Sequence, residues 1–293
     1  MKYIVVLLYV FSFGIADCLW VNVNRKNHEL VSMLCRSIVT TVLFFCLVII
    51  IHYVDKSEGN AFAIDSLVLA IGLSLVCYGG QYFYVKSLKH TSVSLSITLV
   101  SILTFLISIL VSIIIYHETI GPKVVTLMIL TLVGVTLIVN SFHWKAIPTY
   151  RIGLRYILLA SVCWGLGYSF IKKPIESIGV VNFSLVLETT ILFMNLLLFY
   201  ANGLKYVAIK NASTNSWRYL TALGVLIFSG TIFNSLSYHY FGVATLNIVG
   251  KVGIIVPIAY ALLFLNDKIT GKQALGIFLI ITGAVAVSYY GNV

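Results

Sequence analysis

Ten apolar stretches, separated by short polar turns, run along the chain at 3–23, 30–53, 65–86, 91–115, 123–141, 153–172, 181–202, 218–239, 243–265 and 271–290. Each has about the 20 residues that a helix needs to cross the hydrocarbon core of a bilayer. Hydrocarbon offers no partner to backbone polar groups, so each stretch is expected to be a helix that satisfies its own. The longest connections are 54–64, 142–152 and 203–217, and none could hold a separate soluble domain. No small-residue cleavage site follows Tyr3–Val23, so that stretch reads as a spanning helix and not a cleaved leader. The pattern predicts an all-α polytopic membrane protein of ten transmembrane helices.

Composition agrees. The 293 residues are 60% hydrophobic and 10% charged, whereas a soluble domain is about a quarter charged. The formal net charge of +10 sits mostly in the loops. There it suits anionic lipid headgroups, and nothing calls for nucleic acid. Cys18, Cys35, Cys46, Cys77 and Cys163 all fall inside predicted helices at spacings that match no metal motif, so they read as small packing residues. No cofactor is expected.

Polar residues inside the apolar stretches reveal a repeat. Phe13-Gly14 corresponds to Trp164-Gly165, Arg36 to Glu188, Gln81 to Asn234, Thr98 to Asn247, Glu118 to Asp267 and Gly134 to Gly283, at offsets between 149 and 153. A shared offset over five elements carries more weight than any single motif. The division is a first five-helix repeat over 1–141, a connecting loop over 142–152 and a second repeat over 153–293. Five helices is an odd number, so the second repeat is expected to enter the membrane upside down relative to the first.

Trp164-Gly165 opening a half, Arg36 early in the second helix, Pro257 ten residues before Asp267, and an acid followed by a glycine one helix later form an ordered set. This set resembles the EamA-type members of the drug/metabolite transporter superfamily over nearly the whole chain. Three positions depart from the family pattern: Phe13 replaces the usual tryptophan, Ser108 stands where the first half often has proline, and Glu188 replaces a neutral or basic residue. The resemblance implies a ten-helix transporter that works by alternating access, and it implies no substrate.

A charge inside a spanning helix costs roughly 2.5–3.5 kcal/mol by insertion scales, so it faces a partner or a watery cavity. Counting 1.5 Å per residue places Asp17 and Arg36 roughly 9 Å from one membrane face, with Gln81 and Thr98 near them. Glu188 and Lys251 fall roughly 10–12 Å from the other face, with Asn234 and Asn247 nearby. The expectation is two polar layers, an Asp17–Arg36 pair and a Glu188–Lys251 pair, with Arg36 and Glu188 out of contact. Each pair reads either as a gate or substrate contact, or as a strut that fixes helix register. Pro257 frees the carbonyl of Gly253, which predicts a helix kink beside Lys251. Trp164 and Tyr168, interleaved with Gly165 and Gly167, suit the wall of a pocket for an organic solute. Tyr82, Tyr238 and Tyr240 read as interfacial belt residues, and His239 as a hydrated histidine near an interface.

No paired acids at close helical spacing, His/Cys cluster or glycine-rich phosphate loop appears, so no catalytic or metal residue is named. The function expected is secondary active export of a small organic metabolite such as an amino acid, around a central cavity in the cell (plasma or inner) membrane. Protonation of Asp17 or Glu188 would couple transport to protons, in a monomer or homodimer surrounded by lipid. A flippase for a lipid-linked solute is the alternative, ahead of a membrane-embedded enzyme or a scaffold. Loop Lys and Arg number five on the face where the chain starts and twelve on the other, which predicts termini outside. The family resemblance implies termini inside.

Overall fold

A computed structural model describes residues 2–24, 27–54, 64–91, 93–117, 121–140, 151–205, 209, 214–241, 246, 249–256, 259–260 and 270–290. Every regular element among them is helical: α1 Lys2–Asn24, α2 Glu29–Val54, α3 Ile64–His90, α4 Val93–Ile115, α5 Pro122–Asn140, α6 Arg151–Phe170, α7 Lys172–Ile178, α8 Val180–Ala201, α9 Thr214–Tyr240, a 3-10 turn at Lys251–Ile254, and α10 Gly271–Tyr290. Six of these helices (α1, α2, α3, α6, α8 and α9) carry stretches long and apolar enough to cross a membrane, and three shorter apolar stretches lie in α4, α5 and α10.

The apolar pattern places these helices well, with two differences. The predicted helix 153–172 breaks at Ile171 and continues as the seven-residue α7, which buries Pro174, Ile175 and Ile178 against α3 and α8. Gly179 separates α7 from α8 at a φ of 82°, a backbone angle that suits a residue without Cβ. Most of the predicted ninth helix, including Asn247 and Pro257, lies outside the described residues, as do Glu118 and Asp267. The segment beside Lys251 forms a 3-10 turn, which is tighter than the α-helix predicted across it.

Numerous serines and threonines sit inside these apolar helices. They satisfy themselves by donating to the carbonyl one turn back, as Ser74 does to Ala70, Ser161 to Ile157 and Ser184 to Val180, each at 2.7 Å. Large apolar side chains such as Ile50, Phe193 and Phe278 point outward, where a bilayer supplies the apolar surroundings that water does not.

The repeat is visible in how the helices pair. α1 packs on α9, and its counterpart α6 packs on α3; α2 packs on its own counterpart α8, and α5 on its counterpart α10. Each pair is antiparallel. Asn195 reaches Met33 while Glu188 reaches Thr41, and Gly80 faces Trp164 while Gly153 faces Thr91. Such mirrored pairing is that of a pseudo-twofold axis passing between α2 and α8 and between α5 and α10. The repeat-marking glycines hold the second contact. A Cβ on Gly134 would stand 2.7 Å from the backbone carbonyl of Gly276, and one on Gly283 would collide with the Thr131 hydroxyl. Small residues at these crossings let the backbones approach.

Gly134→Val is therefore expected to destabilise the protein by about 1–3 kcal/mol, because a backbone carbonyl cannot move aside as a side-chain tip can. Gly72→Ala, where a Cβ meets nothing within 4 Å, is the neutral control. Thermal unfolding of both variants in detergent measures the difference.

Candidate functional site

On α1, Tyr9, Phe13, Asp17 and Trp20 recur every three or four residues and so share one face. On α6, Trp164 and Tyr168 do the same, and Ile171 follows at the break after it. The two faces turn toward each other across a cavity of about 210 Å³ between the repeats, whose wall also includes Arg36, Gln81, Glu188 and Asn234. Aromatic rings dominate it. Tyr9 meets Phe13 edge-on at 5.6 Å between centroids, and Trp164 lies 5.1 Å from Tyr84 and 6.2 Å from Tyr168. Trp164 occupies its place because Gly80 opposite has no side chain; a Cβ there would collide with the indole.

One buried ion pair lies beside this cavity. Arg36 Nη1 donates to Glu188 Oε2 at 2.5 Å, with the residues 4% and 1% exposed. Its surroundings fix both backbones. The Thr41 hydroxyl donates to the carbonyl of Glu188 at 3.1 Å, and Asn195 Nδ2 donates to the carbonyl of Met33 and to Ser37 Oγ, each at 3.2 Å. Thr40, one turn after Arg36, donates to the Arg36 carbonyl and ties α2 to α9 through the carbonyl of Gly224.

This pair corrects the two-layer expectation, in which Arg36 and Glu188 do not touch. The Glu188 backbone is level with Thr41, five residues past Arg36, so the two α-carbons differ in depth by about 7.5 Å. An extended arginine and a glutamate together bridge that gap. The depth count treated α-carbon separation as side-chain separation. The expected Asp17–Arg36 pair does not form either. Asp17 Oδ1 instead accepts a hydrogen bond from the Tyr84 hydroxyl at 2.9 Å, and Asp17 has no ion pair among the described residues.

The structure thus brings Asp17, Arg36, Gln81, Trp164, Tyr168, Glu188 and Asn234 onto one wall. Of the remaining candidates, Gly253 also lines it, beside Gly250. The Lys251 side chain, the Thr98 side chain, Asn247 and Pro257 lie outside the described residues, so the expected Glu188–Lys251 contact does too. Two tyrosines change role or enter newly. Tyr238, expected at an interface, is buried, donates to the carbonyl of Tyr168 at 3.1 Å and lines the cavity. Tyr84 had no mark in the sequence, since nothing local distinguishes it from Tyr82 two residues earlier. Tyr9 and Trp20 also went unmarked, although their spacing from Asp17 puts all three on one face of α1. Tyr240 and His239 stay exposed.

Several polar atoms at the cavity have no partner among the described residues. Arg36 Nε, Gln81 Nε2 and Thr104 Oγ1 are buried and unbonded, and all three residues belong to the cavity wall. Buried polar atoms of this kind are rare in folded proteins.

The sequence profile of the EamA-like transporter family matches residues 1–140 and 151–289. A search of curated protein sequences finds no match. Among solved structures, one described as "Crystal structure of protein" is 17% identical, with a TM-score of 0.71 over 99% of each chain. At that identity the likeness speaks for the shared fold.

Removing one charge of the central pair leaves the other buried and unpaired, a loss of about 3–5 kcal/mol. Glu188→Leu alone is expected to unfold at a markedly lower temperature. The Arg36→Met/Glu188→Leu double variant should recover most of that loss. A double-mutant cycle on melting temperatures checks it, and additive losses would mean that the two side chains act independently.

Proposed function

We propose that this protein, which belongs to the EamA-like transporter family, is a secondary active transporter that exports a small organic metabolite such as an amino acid. The reading takes ten spanning helices in two inverted five-helix repeats, which rock about a central cavity in the cell membrane. The observation that carries it is the Arg36–Glu188 bond, which joins repeat-equivalent residues beside a cavity walled by both repeats. A contact on the axis between two halves is where relative motion of the halves is felt first. It is suited to break and re-form as access alternates. Antiparallel pairing of α2 with α8 and of α5 with α10 supports the inverted arrangement.

Protons are the proposed coupling ion, with Asp17 as the acid that carries them. Asp17 has no ion pair among the described residues, so none of their charges is stranded when it gains or loses a proton. Glu188 cannot do so without stranding Arg36. Proton entry through such a site drives a solute outward by exchange. The cavity, about 210 Å³, is below the roughly 300–1,000 Å³ of pockets for drug-sized ligands. That size favours an amino-acid-sized solute over a lipid-linked one.

Reconstitution into liposomes tests this reading. Uptake or release of labelled amino acids should rise severalfold when a proton gradient is imposed. Asp17→Asn should abolish the response to the gradient. Normal gradient-driven transport by Asp17→Asn would rule out Asp17 as the proton carrier. Normal gradient-driven transport by Glu188→Gln would do the same for Glu188, and is the expected result if Asp17 alone titrates.

A further inference from the structure

The end of α3 and the start of α6 meet where Gly153 faces His90 and Thr91, and both helices bring cations there. Lys86 and Lys89 lie in the last turns of α3, and Arg151 and Arg155 in the first turns of α6. Lys89 is bonded to Glu29, which also lies 3.6 Å from His28. Lys86, Arg151 and Arg155 have no ion pair among the described residues. Lys86 is nevertheless held in place. Its Nζ lies 4.5 Å from the ring centre of Tyr82 on α3 and 5.7 Å from that of Tyr156 on α6. Ring faces attract a cation without neutralising its charge, so an anion is still lacking.

An apolar seam runs from this point toward the middle of the membrane. On α3, Leu75, Gly79, Tyr82 and Lys86 recur every three or four residues, and on α6 Arg155, Leu159 and Val162 do the same. Each set is therefore one stripe with its cation at the same end. The two stripes flank one seam, because Lys86 reaches Tyr156 and a Cβ on Gly79 would stand 3.3 Å from Cys163 Sγ. Leu75, Leu159 and Val162 are exposed. Fixed cations at the end of spanning helices, above exposed apolar side chains, match the outline of a phospholipid with its headgroup at the interface.

The repeat holds an internal control. At the offset of 150 that relates Gly80 to Gly230, Lys86 corresponds to Leu236. At the offset of 151 that relates Phe13 to Trp164, Arg155 corresponds to Ile4. α1 packs on α9 as α6 packs on α3, so the same crossing forms with leucine and isoleucine at those two places. That end has one lysine on its two helices, Lys2, which sits over Tyr3 and Phe241. Packing of the helices thus has no need of Lys86 and Arg155, and the charge they suit comes from outside the chain.

We propose that the seam between α3 and α6 is a binding site for one anionic phospholipid: Lys86 and Arg155 take its phosphate, and an acyl chain lies along Leu75, Gly79 and Leu159. Tyr82 and Tyr156 fix the Lys86 ammonium at headgroup depth. A free phosphate uses the cations and leaves the apolar seam uncovered. A zwitterionic phospholipid brings its own cation to its phosphate, so it gains less from these two. α3 belongs to the first repeat and α6 to the second, so the bound lipid bridges the two halves and strengthens their contact.

Native mass spectrometry of the purified protein in a non-ionic detergent tests this, with phosphatidylglycerol and phosphatidylcholine of matched acyl chains as probes. The first phosphatidylglycerol is expected to bind roughly tenfold or more tighter than phosphatidylcholine and to raise the melting temperature further. Lys86→Leu/Arg155→Ile, which installs the side chains of the equivalent seam, should erase that preference. Arg218→Leu should keep it, because Arg218 is an exposed cation in the first turns of α9 at the same end of the molecule. Should the double variant not fold, Lys86→Gln and Arg155→Gln made singly are each expected to lower the preference. The inference is overturned if the wild-type protein binds the two lipids equally, or if Arg218→Leu loses as much as the seam variants, which would mean diffuse attraction to the basic surface. Competition by inorganic phosphate or glycerol phosphate as strong as by the lipid also overturns it, in favour of a free-phosphate site. None of these outcomes depends on whether or what the protein transports.

Discussion

Two charged side chains in the interior of apolar helices are tolerable only because they meet. Arg36 and Glu188 neutralise each other where α2 crosses α8, and the contacts around them fix both backbones at the crossing. The bond also dictates how the repeat can vary. Equivalent positions close to a pseudo-twofold axis face one another, so identical residues there would place like charges together. The two halves must therefore differ at this position if either is to carry a charge. In this chain Glu188 is the residue that neutralises Arg36.

The same logic runs through the cavity. Positions related by the repeat share bulk and shape: Phe13 and Trp164 each lie across from a glycine of the opposite half, Gly230 and Gly80. They do not share charge. Asp17 falls opposite Tyr168 at the offset that relates Phe13 to Trp164, so one half contributes a carboxylate where the other contributes an aromatic ring. A symmetric scaffold thus encloses an asymmetric chamber. Its electrostatics come from the few places where the repeats have diverged.

Most of the fold was legible because hydrocarbon imposes a simple rule. Apolar runs near 20 residues are helices, and the close offsets of Arg36/Glu188 (152) and Gly134/Gly283 (149) expose the repeat. The site was half legible. Charge and aromaticity in apolar surroundings picked out Asp17, Arg36, Glu188 and Trp164, all of which line the cavity. Partners were not legible. Depth along a helix axis is a one-dimensional quantity, and the contacts depend on which way a face is turned and how far a side chain reaches. Arg36 crosses about a turn and a half of helix to find Glu188, and Asp17 is met by a tyrosine that nothing in its own segment singles out. The short helix Lys172–Ile178 escaped for a related reason. Its lysines look like a solvated loop, yet Pro174, Ile175 and Ile178 bury the other side.

The paired aromatic-on-glycine contacts have a further consequence. If the halves exchange their conformations to present the cavity to the other side, the Trp164–Gly80 contact takes the role that Phe13–Gly230 plays, and the reverse. With two identical aromatic residues these two arrangements would weigh the same. An indole and a phenyl ring fill different volumes, so under such an exchange the resting balance between the two arrangements would be tilted by the protein itself.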